Sequence, residues 1–198
     1  GGGTGSVSSG GGEQPPSALV TGASRGIGRA IAERLGAAGF ALTLSGRHSG
    51  ALDEVARALE GVAAGTDVVR ADMAAEKDVR RLAHRHAERF GSLDLLVLCA
   101  GSGISGPIAG YPLHRFDRQV EVNLRAPFIL AQECLPSLRQ AAASHPERGA
   151  RIVAIASLTG VAAEPGLAAY GATKAALISF CQSVNVEESA SGVSATAI

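Results

Sequence analysis

Short apolar runs alternate along the chain with longer stretches whose apolar positions recur at helical spacing. Ala18-Leu19-Val20 is the first run, ending in Thr21-Gly22, and Arg29 to Ala38 follows with the pattern of a helix. The alternation then predicts strands at Ala41 to Ser45, Thr66 to Arg70, Leu93 to Leu98, Arg151 to Ala156 and Val193 to Ala197. Helices are predicted between them at Ala51 to Leu59, Glu76 to Phe90, Phe116 to Ala143 and about Ala168 to Ser189. Pro127 and Pro136 mark kinks or boundaries in the longest of these.

Strands that are apolar throughout and alternate with helices imply a parallel sheet covered on both faces, because each crossover between parallel strands needs a helix. The predicted fold is a doubly wound, three-layer α/β domain over residues 17–198. Such sheets bind ligands beyond the carboxyl ends of their strands, which directs attention to the residues after Val20, Leu44, Val69, Leu98 and Ile155. Gly1 to Pro16 is rich in glycine and serine, has little apolar surface to offset ordering entropy, and is expected to be a flexible tail.

At 198 residues and 46% hydrophobic content, the chain suffices for one domain with a substantial core. Eighteen basic residues balance eighteen acidic ones, so no global field points to nucleic acid or an anionic membrane, and a small ligand suits the chain better. Cys99, Cys134 and Cys181 lack the spacing of a zinc site or disulfide framework and read as reduced buried thiols. No apolar stretch approaches the roughly 20 residues needed to cross a bilayer and the N-terminus lacks a signal pattern, so the cytoplasm is the expected location. His48, His84, His86, His114 and His145 show no metal-ligand spacing; they are expected at the surface, and no metal is predicted.

The first strand is followed by Thr21-Gly22-Ala23-Ser24-Arg25-Gly26-Ile27-Gly28, a glycine turn opening into a helix. Glycines there permit tight curvature and close approach of a pyrophosphate, while the helix N-terminus attracts its charge. Gly22, Ser24, Arg25, Gly26, Ile27 and Gly28 are therefore candidate cofactor contacts, against the alternative of a purely structural turn. The second strand ends in Leu44-Ser45-Gly46-Arg47, without the acid that would accept from the ribose hydroxyls of NAD. Arg25 and Arg47 are placed to clasp the 2′-phosphate of NADP, unless both are simply solvated. Asp72 is a candidate acceptor for the adenine amino group, with Met73 packing nearby, or equally a cap for the helix near Glu76. Ala100 and Gly101 offer a small-residue floor for the cofactor, or a plain loop.

Tyr170 and Lys174 lie one helical turn apart on one face. A phenol has a pKa of about 10 in isolation, and a neighbouring ammonium stabilises its phenolate, which suits proton transfer near neutrality. Ser157 follows a strand end, where its hydroxyl would polarise a substrate carbonyl while Tyr170 moves the proton. Asn123, a poor helix former within a helical stretch, would hold a water linking Lys174 to solvent. Each residue has a bland reading alone; the combination with the glycine turn is what points to chemistry.

In this combination the chain resembles the short-chain dehydrogenases/reductases, through Thr21 to Gly28, Val122-Asn123-Leu124, Ser157 and Tyr170-Gly171-Ala172-Thr173-Lys174. The resemblance runs from Ser17 to Ile198, and the glycine loop with Arg25 looks most like the 3-oxoacyl-[acyl-carrier-protein] reductases. It implies a Rossmann-like fold and a catalytic tetrad of Asn123, Ser157, Tyr170 and Lys174, with Tyr170 and Lys174 also touching the cofactor. It further implies NADP(H)-dependent interconversion of a ketone, including an acyl thioester, and a secondary alcohol. A homodimer or homotetramer would pair the helices at Phe116 to Ala143 and Ala168 to Ser189.

Two departures bear on these expectations. Leu98-Cys99-Ala100-Gly101 stands where the family usually has Asn-Asn-Ala-Gly, so a thiol replaces a loop-tying amide and a looser cofactor floor is expected. Family members usually continue past the position of Ile198 with Pro-Gly, a substrate-covering lid and a final strand; the C-terminal part, with most of the substrate pocket, is expected to be absent here. Ile104, Pro107 and Val161 to Leu167 would line what remains, suiting a modestly hydrophobic ketone. These departures motivate a second expectation, a catalytically silent nucleotide-binding or scaffold protein.

Overall fold

The computed structural model describes residues 14–198, so the tail expected over residues 1–16 lies almost wholly outside the described residues. Pro16 is already part of the fold, because its carbonyl accepts the Ala41 N–H at 2.8 Å. Six parallel strands, β1 (Ser17–Thr21), β2 (Ala41–Gly46), β3 (Gly65–Arg70), β4 (Leu95–Leu98), β5 (Ala150–Ala154) and β6 (Val193–Ala197), form one sheet in the order β3-β2-β1-β4-β5-β6. Strand order reverses between β1 and β4, which opens a crevice beyond their carboxyl ends. The register sets Val20 against Leu44 on one side and Val97 on the other, so the ends of β1, β2 and β4 meet there.

Helices α1 (Gly26–Ala37) and α2 (Ser49–Ala58) cover one face, burying Ala32, Leu52 and Val55 with Val20, Leu42 and Leu44. The other face lies under α3 (Glu76–Phe90), α5 (Ala126–Ser144) and α6 (Ala168–Glu188), where Leu82, Leu130, Leu138 and Leu177 pack on Leu19, Leu96 and Ile152. The expected three-layer architecture follows from these two apolar faces.

The stretch expected as one helix from Phe116 divides in three. Helix α4 (Leu113–Val120) begins after Pro112, a single π turn occupies Glu121–Arg125, and α5 follows. Pro127 offers no N–H to the Asn123 carbonyl four residues back, so the regular ladder cannot continue through this point. Pro136 lies inside α5 without ending it. Leu93, expected in a strand, is buried just ahead of β4, with its N–H on the Ser137 carbonyl.

Candidate active site

The glycine turn is shaped by its own backbone. Gly22 has a φ of 68°, and a Cβ there would come within 3.0 Å of the Ala100 nitrogen. A Cβ on Gly28 would lie 2.3 Å from the Gly22 carbonyl oxygen, so α1 can sit this close to the turn only as glycine. Arg25 holds the N-cap position but makes no side-chain cap, which leaves the first N–H groups of α1 without a side-chain acceptor.

In front of the turn lies a cleft of about 870 Å³. Gly22, Ser24, Arg25, Gly26, Ile27, Gly28, Arg47, Asp72, Met73, Ala100, Gly101, Tyr170 and Lys174 all border it. Asn123 and Ser157 stand outside its lining. Arg25 and Arg47 are exposed, and among the described residues neither forms an ion pair. Ser45, at the same rim, carries a buried hydroxyl without a protein partner. A turn with no room for Cβ atoms at Gly22 and Gly28, an uncapped helix start and two exposed guanidinium groups outside any ion pair together fit a dinucleotide carrying several phosphates.

Thr21 ties the floor of the cleft. Its Oγ1 accepts the N–H groups of both Cys99 and Ala100 at 3.0 Å and donates to the Val97 carbonyl at 3.2 Å. The floor expected to loosen around Cys99 is thus held by a hydroxyl from the neighbouring strand. The Cys99 thiol is half-buried, and burial pushes its pKa up.

Asp72 does not cap α3, whose N-cap position belongs to Ala75. Its carboxylate accepts the Ala74 N–H at 3.0 Å and the Arg118 guanidinium at 2.9 and 3.2 Å. Burial alone would raise the carboxyl pKa, but the Ala74 N–H and Arg118 outweigh it and hold the group below its ordinary value. Arg118 also borders the cleft, and the sequence carries no sign of it, because a lone arginine on a polar helix has no distinguishing pattern.

Lys174 is 4% exposed, which rules out a solvated helical pair with Tyr170. Its Nζ donates to the Ile155 carbonyl at 2.6 Å and stands 5.6 Å from the centre of the Tyr170 ring. Burial lowers its pKa, only partly opposed by Cys99. The Gly103 backbone also packs on the tyrosine, where a Cβ would be 3.5 Å from the ring. Ser157 begins a short 3₁₀ turn, Leu158–Gly160, and its Oγ accepts from Thr159 N at 3.3 Å and Thr159 Oγ1 at 2.9 Å. With that oxygen engaged twice as acceptor, the Ser157 proton remains to be donated.

Asn123 lies in the π turn and is 1% exposed. Its Oδ1 accepts from Ser102 N at 2.8 Å, while Nδ2 donates to the Ser102 carbonyl at 2.9 Å and to Thr173 Oγ1 at 3.0 Å. Both amide hydrogens are therefore spent on protein acceptors, and the side chain fastens the loop after β4 to α6.

Residues 16–198 match the model of the short chain dehydrogenase family. The chain belongs to that family. An uncharacterised oxidoreductase of Staphylococcus epidermidis is 34% identical over 181 residues, covering 91% of this chain and 75% of the relative. A 3-ketoacyl-ACP reductase from Sinorhizobium meliloti superposes with a TM-score of 0.84 at 33% identity, covering 92% of this chain and 70% of that one. A short-chain dehydrogenase from Sphingobium yanoikuyae in complex with NADPH gives a TM-score of 0.81 at 33% identity, covering 92% and 69%. The family is one of oxidoreductases, and the doubly wound sheet of this chain is that of its solved relatives.

One expectation is corrected away from the cleft. His86 is not at the surface: it is 1% exposed beneath the sheet, with Nδ1 2.8 Å from Thr43 Oγ1 and Nε2 3.3 Å from Ser17 Oγ. Burial lowers its pKa to about 4. The signal was present, since Val79, Leu82, Ala83 and His86 share the spacing of one buried helical face. His48, His84 and His114 are exposed, and His145 is half-buried. Among the described residues no group of three His, Cys, Asp or Glu is arranged to hold a metal, and no helix is long and apolar enough to cross a membrane.

Proposed function

We propose that the chain is an NADP(H)-dependent oxidoreductase that interconverts a ketone and a secondary alcohol. The observation that carries this reading is a single cleft bordered both by the glycine turn with its unpaired Arg25 and Arg47 and by the Tyr170–Lys174 pair. NADP is favoured over NAD because two guanidinium groups and no carboxylate follow β1 and β2, and relatives are known with NADPH bound.

When bound, the nicotinamide supplies or accepts a hydride at the carbonyl carbon. The Ser157 hydroxyl donates to the carbonyl oxygen and holds it as negative charge develops. Tyr170 delivers its phenolic proton to the same oxygen, and in the reverse direction removes it. Lys174 places a positive charge beside the ring, and Asn123 keeps residue 102 and α6 in fixed relation. The cofactor would rest on Gly22, Ser24, Gly26, Ile27, Gly28, Ala100 and Gly101, with Asp72 and Met73 at the adenine side.

The substrate is a modestly hydrophobic ketone, with 3-oxoacyl thioesters within the class, as the likeness to a 3-ketoacyl-ACP reductase suggests. Two copies would associate through α5 and α6, where the half-exposed pair Phe128 and Phe180 sits with ring centres 5.8 Å apart. Three free thiols suit the reducing cytoplasm. The test is oxidation of NADPH and NADH by the protein over a panel of ketones and a 3-oxoacyl thioester. Turnover with NADPH supports the reading; cofactor binding without turnover on any carbonyl makes the chain a silent nucleotide-binding protein.

A further inference from the structure

Residues 101–106 leave β4 and run past Tyr170 without joining any strand of the sheet. Their exposure alternates residue by residue, as in an extended segment, with Ser102 and Ile104 turned inward. Two buried carboxamides take the place of a partner strand. Asn123 receives the Ser102 N–H and donates to the Ser102 carbonyl. Gln119, 0% exposed, does the same for Ile104 with one helper: its Oε1 accepts the Ile104 N–H at 3.1 Å, and its Nε2 donates to Tyr111 Oη at 2.9 Å. Tyr111 in turn donates to the Ile104 carbonyl at 2.8 Å.

The spacing explains why this works. Residues four apart on a helix rise about 6 Å, and residues two apart on an extended chain rise about 6.6 Å, so amides at 119 and 123 can meet backbone groups at 104 and 102. Two further contacts lock the arrangement. A Cβ on Gly106 would lie 2.9 Å from the Tyr111 ring, so the ring needs glycine there. The Gly106 N–H donates to the Gly166 carbonyl at 2.8 Å, joining the segment to the turn beyond Ser157.

The segment so held is the wall against which the Tyr170 ring packs, at Gly103. We infer that Gln119 and Tyr111 are specificity-determining positioning residues: they hold Ile104, and with it the wall beside Tyr170, so that ketones are sorted by the bulk of the substituent facing residues 103–106. A wall clasped at both backbone groups of Ile104 cannot retreat from a large substituent without leaving buried polar groups unpaired, which is the physical source of the discrimination. The inference rests on the ketone chemistry proposed above.

Tyr111→Phe and Gln119→Leu test it in the intact protein, with NADPH and ketones that grow in one substituent only. Both variants should narrow the ratio of kcat/KM between the smallest and the bulkiest ketone by about fivefold or more, the scale of one net hydrogen bond. The pH profile of kcat should stay that of the wild type. Hydrogen exchange at the Ile104 amide, measured without cofactor, should be slow in the wild type and fast in Gln119→Leu. If Gln119→Leu does not fold, Tyr111→Phe decides alone, since it keeps the ring against Gly106. Unchanged size selectivity in folded, active variants overturns the inference, as does fast Ile104 exchange in the wild type. A wild-type protein that reduces no ketone overturns the proposed function and the specificity role with it; slow exchange at Ile104 would then identify that failure as one of chemistry, with the clasp intact.

Discussion

Lys174 gives its ammonium hydrogen to the Ile155 carbonyl at 2.6 Å while standing 5.6 Å from the centre of the Tyr170 ring. The cation is thus anchored to the backbone just beyond β5, on the stretch that leads into Ser157. That anchoring ties Tyr170 and Lys174, both on α6, to the end of β5.

Tyr170→Phe keeps the ring and its contact with Gly103 but removes the hydroxyl. Turnover should fall by roughly 10²-fold or more, the usual scale for a lost general acid, while cofactor affinity by fluorescence titration stays near the wild-type value. Wild-type turnover in this variant would sink the proposed mechanism.

Lys174→Met separates chemistry from folding. Burial depresses the lysine pKa, so the folded state carries a charge that the unfolded state holds more comfortably in water. The cost is present while Lys174 is protonated and is relieved as pH rises from its folded pKa toward the unfolded one. The methionine variant should melt no lower than the wild type by more than a few degrees near neutral pH, yet lose activity by roughly tenfold or more. A large drop in melting temperature with unaltered specific activity would contradict this.

Arg47→Asp should turn coenzyme preference from NADP toward NAD, because a carboxylate repels the 2′-phosphate of NADP and accepts from the ribose hydroxyl that NAD carries in its place. The ratio of kcat/KM for the two coenzymes is the quantity to measure. An unaltered ratio would return Arg47 to the status of a solvated surface residue.

His86 predicts acid sensitivity remote from the cleft. Its folded pKa of about 4 lies below the ordinary 6.5, so the imidazole is neutral when folded and the unfolded chain binds the proton first. Its full contribution is present above pH 6.5, is lost progressively as pH falls, and is gone near pH 4, a change of about 3 kcal/mol. Urea unfolding at pH 7, 5 and 4 should show this slope, and His86→Gln should flatten it.

Much of the fold was legible because it depends on patterns that any residue string displays. Glu76–Phe90 and Val193–Ala197 have the bounds expected of them, since a helical period and a short apolar run each specify one local structure. The glycine turn was equally readable: a Cβ clash at Gly28 is a property of the turn itself. What the string could not display is which neighbour a side chain meets. Asp72 found Arg118 in place of a helix cap, Thr21 took over the floor beside Cys99, and Gln119 reached Ile104 and Tyr111, all through contacts that local periodicity does not specify. Asn123 stands out in the sequence as an amide in an unfavourable place, yet only the π turn ahead of Pro127 directs it toward Ser102 and Thr173. Local periodicity determines the elements; hydrogen-bond partners are set by how those elements pack, and packing is a property of the whole chain.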